Sequence, residues 1–143
     1  MWQKFAEETR RIIFFAQEEA WRRNCGDVDT EHLLLALLRA SDCLACRILA
    51  GLGVDPDELC AAAEQNPLPE PQGTENMKLT DQARRAVDLA DESAQEQAAG
   101  EIGSEHLLEG LAGEEEGQAG ILLRQRSVIV AEVRRMASAL KEN

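Results

Sequence analysis

Displaced by 74 positions, this sequence matches itself without a gap. Lys4 falls on Lys78, Arg10-Arg11 on Arg84-Arg85, and Ala16, Glu18 and Ala20 on Ala90, Glu92 and Ala94. Gly26 falls on Gly100 and Val28 on Ile102. The pentad Thr30-Glu31-His32-Leu33-Leu34 lands on Ser104-Glu105-His106-Leu107-Leu108, and these hold the only two histidines of the chain. Leu37, Ala45, Ile48-Leu49 and Val54 continue the match onto Leu111, Ala119, Leu122-Leu123 and Val128. Such a match confines the fold to two copies of one supersecondary unit, one over residues 1–65 and one over 78–143, forming a single domain.

Each unit reads as four helices. The first spans about Ala6 to Asn24, with Ile12, Ile13, Ala16 and Ala20 at helical spacing and Gly26 as a stop. Thr30 is the expected N-cap of the second, whose Leu33, Leu34, Leu37 and Leu38 form one apolar stripe. Asp42 is expected to cap the third, through Ile48 and Leu49 to Gly51 and Gly53. Asp55 caps a fourth with Pro56 at its first position, where a missing N–H costs nothing. The second unit predicts helices over about Asp81–Ala98, Glu105–Ala112, Glu116–Gln125 and Val128–Leu140. Residues 66–77, with Pro67, Pro69, Pro71 and Gly73, read as a linker. The expected fold class is therefore all-α: two tandem four-helix repeats packed with pseudo-two-fold symmetry.

Composition agrees and excludes several functions. Hydrophobic residues make up 44% but aromatic ones only 3%, so the core is built from Leu, Ile, Val and Ala, which favours helix. A net charge of -12 repels nucleic acid and anionic membranes and suits cationic partners. No apolar run reaches the roughly 18 residues of a membrane span. Glu7, Glu8, Arg10 and Arg11 interrupt what a signal peptide would need. A cytoplasmic protein is expected, with Cys25, Cys43, Cys46 and Cys60 as thiols.

The repeated pentad has two readings. Thr or Ser followed by Glu satisfies free N–H groups at a helix start and complements its dipole, which explains either pentad as an ordinary cap. Alternatively, a helix N-terminus attracts an anion while the adjacent carboxylate binds a guanidinium. A ligand carrying both charges in one head group suits that combination, and phosphoarginine is such a ligand.

The string Ala16-Gln17-Glu18-Glu19-Ala20, the run TEHLLLALL from Thr30, Leu52-Gly53-Val54-Asp55, and the later Leu79-Thr80-x-x-Ala83-Arg84-Arg85-Ala86-Val87 with SEHLL resemble the Clp N-terminal repeat domain. That domain precedes the ATPase modules of ClpA/ClpC-type unfoldases, and the likeness covers nearly the whole chain. The resemblance implies a non-catalytic module that docks protein substrates, tagged or unfolded, and adaptors, and in the ClpC branch reads phosphorylated arginine. It further implies that Glu31 and Glu105 meet the guanidinium, with Thr30 and Ser104 beside them. Phosphate contacts would come from Lys4-Phe5-Ala6 and from Lys78-Leu79-Thr80. Ala6 departs from the family's usual Thr or Ser, whereas Thr80 keeps it. Lys4 and Lys78 are two of three lysines in the chain and occupy equivalent positions.

Other chemistry finds little support. The lysines follow Gln3, Met77 and Leu140, so the Gly-Lys of a phosphate-binding loop is missing from this sequence. Cys43-Leu44-Ala45-Cys46 is a lone CxxC, and the aligned residues Gly117 and Gly120 are not ligands. Small cysteines packing between helices are expected there, with a redox or metal role as the third hypothesis. Neither cofactor nor catalysis is expected. The acidic stretch Glu114-Glu115-Glu116 reads as a solvated turn, or as a surface for a basic adaptor. A free-standing interaction protein that has lost ligand recognition, and that binds or competes for a Clp ATPase or adaptor, is the alternative function.

Overall fold

The computed structural model describes residues 4–23, 25–64 and 78–141. The predicted linker at 66–77 lies outside the described residues. Eight helices are present among them: α1 (Glu7–Arg22), α2 (Thr30–Arg39), α3 (Leu44–Gly51), α4 (Pro56–Glu64), α5 (Asp81–Glu96), α6 (Ser104–Gly113), α7 (Gln118–Gln125) and α8 (Val130–Lys141). The two four-helix repeats and their pseudo-two-fold relation are as the periodicity predicts.

The amphipathic helices α1 and α5 bury equivalent faces. Ile12, Ile13, Ala16 and Ala20 face inward on one, and Ala86, Val87, Ala90 and Ala94 on the other. Helices α2 and α6 go further than the predicted stripe. Every residue from His32 to Leu38 is buried, as is every residue from Ser104 to Ala112. The reason is position. Helix α2 packs against α1, α4 and α7 and also touches α5 and α6, so it has no solvent face.

The repeats are tied by features that no single repeat contains. Phe5 pairs with Ile102 and Val28 with Leu79 in two isolated parallel bridges. The Ala6 N–H donates to Ile102 O at 3.1 Å, and the Ile102 N–H donates to Lys4 O at 2.7 Å. In the mirrored bridge the Val28 N–H donates to Lys78 O at 2.8 Å, and the Thr80 N–H to Val28 O at 2.9 Å. Arg126 adds an exposed ion pair from the end of α7 to Glu58 of α4.

Several predicted helix starts move. Thr30 is the first residue of α2, and its N-cap is Asp29, whose carboxylate accepts the Thr30 N–H at 2.8 Å. Asp42 is spent in the turn after α2, where the Cys43 N–H returns to Ala40 O, and Cys43 is the N-cap of α3. Val128 precedes α8 and is fully buried. Between α7 and α8, Ser127 has φ 63°, matching Gly53 at φ 81° in the first repeat. The acidic stretch is not wholly a solvated turn. Glu114 is buried and accepts the N–H groups of Glu116 and Gly117, so α7 starts only at Gln118. Arg124 donates to the carbonyls of Ala112, Glu114 and Glu115 and holds this loop shut.

Candidate functional site

The pentad residues do separate jobs. His32 is the third residue of α2, and its Nδ1 accepts the Asp29 N–H at 2.8 Å. His106 Nδ1 accepts the Gly103 N–H at 2.9 Å at the start of α6. Each histidine thus fills the place that Glu or Gln takes in a capping box. Only a neutral imidazole can accept at Nδ1, and burial pushes both histidines below their ordinary value.

Thr30 and Ser104 face inward rather than toward a ligand, at 0% and 1% exposure. Thr30 Oγ1 accepts the Ala119 N–H at 3.3 Å in the first turn of α7. Ser104 Oγ accepts the Ala45 N–H at 3.1 Å in the first turn of α3. Ala45 and Ala119 are themselves equivalent positions, so each repeat caps a helix of the other. The repeated hydroxyl therefore serves as a fastener between repeats, and Thr30 caps α7 instead of its own helix.

The crossed bridges also decide which candidate residues meet. Lys78-Leu79-Thr80 is hydrogen-bonded to the segment that leads into Glu31, and Lys4-Phe5-Ala6 to the segment that leads into Glu105. Each candidate site therefore takes its helix start from one repeat and its carboxylate from the other, although sequence order suggests both from one.

At the α5 start, Thr80 Oγ1 caps its own helix by accepting the Ala83 N–H at 3.1 Å. The same hydroxyl donates to Asp29 Oδ1 at 2.9 Å. Asp27 Oδ1 accepts the Lys78 N–H at 3.3 Å. Lys78 is exposed and Glu31 half-buried. A phosphate reaching Thr80 would compete with the Asp29 carboxylate. Asp29 escaped the sequence reading, although Asp outranks Thr as an N-cap and stands immediately before the pentad.

The α1 start differs. Its N-cap, Ala6, offers no side-chain hydrogen bond. Lys4 Nζ lies 4.0 Å from Asp91 of α5. Glu105 is only 7% exposed and folds back over Gly103, where a Cβ would sit 2.0 Å from its Oε1. Its Oε2 receives the Lys141 ammonium at 2.7 Å. Lys141, half-exposed at the end of α8, was not singled out by sequence because nothing local ties it to position 105. The carboxylate already holds a cation, then, and holds it through a side chain that solvent can reach.

A third feature lies outside both sites. Phe14, Phe15 and Trp21 on α1 are 56%, 44% and 61% exposed. Phe14 and Phe15 meet edge to face with centroids 6.0 Å apart. Their counterparts in α5 are Asp88, Leu89 and Gln95, so the apolar face belongs to the first repeat alone. Among the described residues, no group of three or more His, Cys, Asp or Glu could hold a metal, and no helix is long and apolar enough to cross a membrane.

Comparison with known proteins follows the same architecture. The family model for the Clp repeat (R) N-terminal domain matches residues 4–138. The "Chaperone protein ClpB" of Oceanobacillus iheyensis is 29% identical over 140 residues, which is 98% of this chain and 17% of that protein. The "Negative regulator of genetic competence ClpC/MecB" of Bacillus subtilis is 28% identical over 140 residues, again 98% of this chain and 17% of the relative. This chain thus spans less than a fifth of the relatives it matches. The solved N-terminal domain of ClpD from Arabidopsis thaliana has a TM-score of 0.74 at 23% identity, covering 100% of this chain and 97% of that one. The Hsp104 N-terminal domain from Candida albicans has a TM-score of 0.79 at 15% identity, covering 96% and 91%. At these identities the structural likeness speaks for the fold.

Proposed function

The chain belongs to the Clp repeat N-terminal domain family, and from that premise we propose that it is a protein-recognition module, docking unfolded or tagged substrates or adaptors for a Clp-type unfoldase. The observation that carries this reading is the aromatic face of α1. Phe14, Phe15 and Trp21 stay in solvent on a helix whose other face is fully packed, while the sister helix α5 carries mostly polar residues at those places. Aromatic side chains left exposed in this way supply the anchors of protein interfaces. The net charge of -12 favours partners with apolar segments flanked by basic residues. The test is fluorescence anisotropy with a labelled, permanently unfolded basic protein. The Phe14→Ser/Trp21→Ser variant should bind at least about tenfold more weakly, since anchor residues carry about 2 kcal/mol or more. Equal affinity for both proteins would remove the α1 face from the proposal.

A second reading draws support from Glu105, a nearly buried carboxylate paired with the half-exposed Lys141 ammonium, and from the uncapped α1 start, whose Lys4 and Ala6 backbone groups bridge to Ile102. In this reading Glu105 receives the guanidinium of phosphoarginine, displacing Lys141, and the α1 N-terminus with Lys4 receives the phosphate. Glu31 with Lys78 and Thr80 forms the weaker counterpart, because Asp29 already engages Thr80. Thr30 and Ser104 contribute by holding the repeats together. Titration calorimetry with free phosphoarginine on wild type, Glu31→Ala, Glu105→Ala and the double variant decides it. Heat that disappears with Glu105→Ala and grows with Lys141→Ala supports the reading. Silence beside a positive-control domain leaves the alternative, a regulatory interaction protein that competes for an unfoldase or adaptor through the aromatic face.

A further inference from the structure

The cysteines at the start of α3 are more closely arranged than packing requires. Cys43 is the N-cap and Cys46 the third residue of the helix, so both side chains rise from one face of the first turn. Their sulfurs lie 3.5 Å apart. A disulfide needs about 2.05 Å, so a small side-chain rotation suffices to close the gap.

The equivalent turn in the second repeat is an internal control. There Gly117 and Gly120 replace the cysteines, yet α7 receives the same cross-repeat hydroxyl cap. A Cβ at Gly120 would stand 2.2 Å from Glu114 O, and one at Gly117 would stand 2.6 Å from Thr30 Oγ1. The architecture therefore works without a side chain at either position. The first repeat makes room for two sulfurs at positions where its sister leaves no space.

We propose that Cys43 and Cys46 are a redox-active dithiol that a hydroperoxide converts to an intrachain disulfide. The two sulfurs have distinct roles. The contact with the Cys46 sulfur outweighs burial and holds the Cys43 thiol below its ordinary value. A helix N-terminus stabilises a thiolate in the same sense. The Cys46 thiol moves up instead, because its hydrogen bond to Cys43 and its burial both favour the protonated form. Cys43 is thus the attacking sulfur and Cys46 the resolving one. Access comes through a pocket of about 280 Å³ between α1 and the turn before α3, lined by Glu8, Arg11, Phe15, Arg39, Asp42 and Cys43. Cys43 itself is 1% exposed, which limits the oxidant to a molecule of peroxide size.

The Cys43 thiolate attacks one peroxide oxygen, the O–O bond breaks, and the departing hydroxide takes up the Cys46 proton as water. The Cys46 thiolate then attacks the sulfenic sulfur, forming the S–S bond and breaking S–O, and the second oxygen leaves as hydroxide, which becomes water by taking from solvent the proton that Cys43 released on ionising. In sum, two thiols and one hydrogen peroxide give one disulfide and two waters. The structural cost falls on the α2–α3 corner. Cys46 Sγ also lies 3.2 Å from Leu37 O, with Cys43 Sγ 3.8 Å from the same oxygen. Oxidation removes the Cys46 S–H that can reach this carbonyl.

The experiment treats the wild-type chain and the Cys25→Ser/Cys60→Ser variant with hydrogen peroxide, followed by intact mass, thiol counting after unfolding, and peptide mapping. Both proteins should stay monomeric, lose two hydrogens, and yield a Cys43–Cys46 cross-linked peptide that a dithiol reductant reverses. The pair should react about tenfold faster than Cys25 and Cys60 do in Cys43→Ser/Cys46→Ser, as expected from its larger thiolate fraction moderated by lower nucleophilicity. In Cys46→Ser, a sulfenic-acid probe should label Cys43, whereas Cys43→Ser should give no label at Cys46. The proposal falls if peroxide consumes Cys25 or Cys60 of the wild type first. It falls equally if the pair ends as over-oxidised cysteine or as a cross-link between chains.

Discussion

At the scale of single residues, the two histidines carry the clearest consequence. Each accepts a backbone N–H at Nδ1 and is held neutral by burial. The unfolded chain takes up protons as the pH falls below about 6.5, the ordinary imidazole value, while the folded chain resists. Their contribution to stability is therefore complete above that value and declines as the pH falls through the window beneath it. Urea unfolding at about pH 7.5 and about pH 5.5 should show a loss that shrinks in His32→Gln/His106→Gln, because Gln keeps the reciprocal acceptor without titrating. An unchanged pH slope in that variant would mean other groups set it. Ser127 makes a second residue-scale case. It holds a left-handed backbone that Gly53 supplies without strain in the first repeat. Ser127→Gly should raise stability by about 0.5–1 kcal/mol, measured by thermal or chemical melting.

At the scale of elements, the reciprocal hydroxyl caps are the decisive contacts. Thr30→Val and Ser104→Ala each strand a buried N–H at a helix start of the opposite repeat, and each should cost about 1–2 kcal/mol in chemical denaturation. A cost near zero would show that the Ala119 and Ala45 N–H groups find other partners. Much of this level was legible in advance. The 74-residue shift dictated two equivalent sets of helices, and the leucines at 33, 34, 37 and 38 marked the central one. The cap positions were less legible. Asp29 was readable locally as the N-cap of α2, but only the neighbouring repeat, 89 residues away at Ala119, reveals where the Thr30 hydroxyl goes. The same limit hid the Lys141–Glu105 pair and the crossed bridges that tie Lys4 and Ala6 to Ile102. Periodicity carries the identity of a helix but not what its far side touches. Each repeat also holds an arginine between two glutamates that the alignment does not reveal. In the first repeat Arg39 of α2 pairs with buried Glu19 and with Glu64. In the second, Arg134 of α8 pairs with buried Glu109 and with Glu96. The two arginines align with Gly113 and Cys60, so the networks are built from different positions.

At the scale of the whole molecule, the bridges, the caps and the Arg126–Glu58 pair join the two repeats, and one cooperative unit is the expected consequence. A chain divided into residues 1–65 and 66–143 should give two pieces that lack a sharp thermal transition alone and regain it on mixing, followed by far-ultraviolet circular dichroism. A first half that melts cooperatively by itself would contradict the shared core. The same arrangement has a consequence in time. The first half of the chain emerges from the ribosome well before Ala119, which its Thr30 must reach across 89 positions. At the usual rate of synthesis that interval lasts roughly 5–20 s. During it, the leucines of α2 have α1 and α4 beside them but lack α5, α6 and α7, which complete their cover, so part of this core stays open while the chain is still being made.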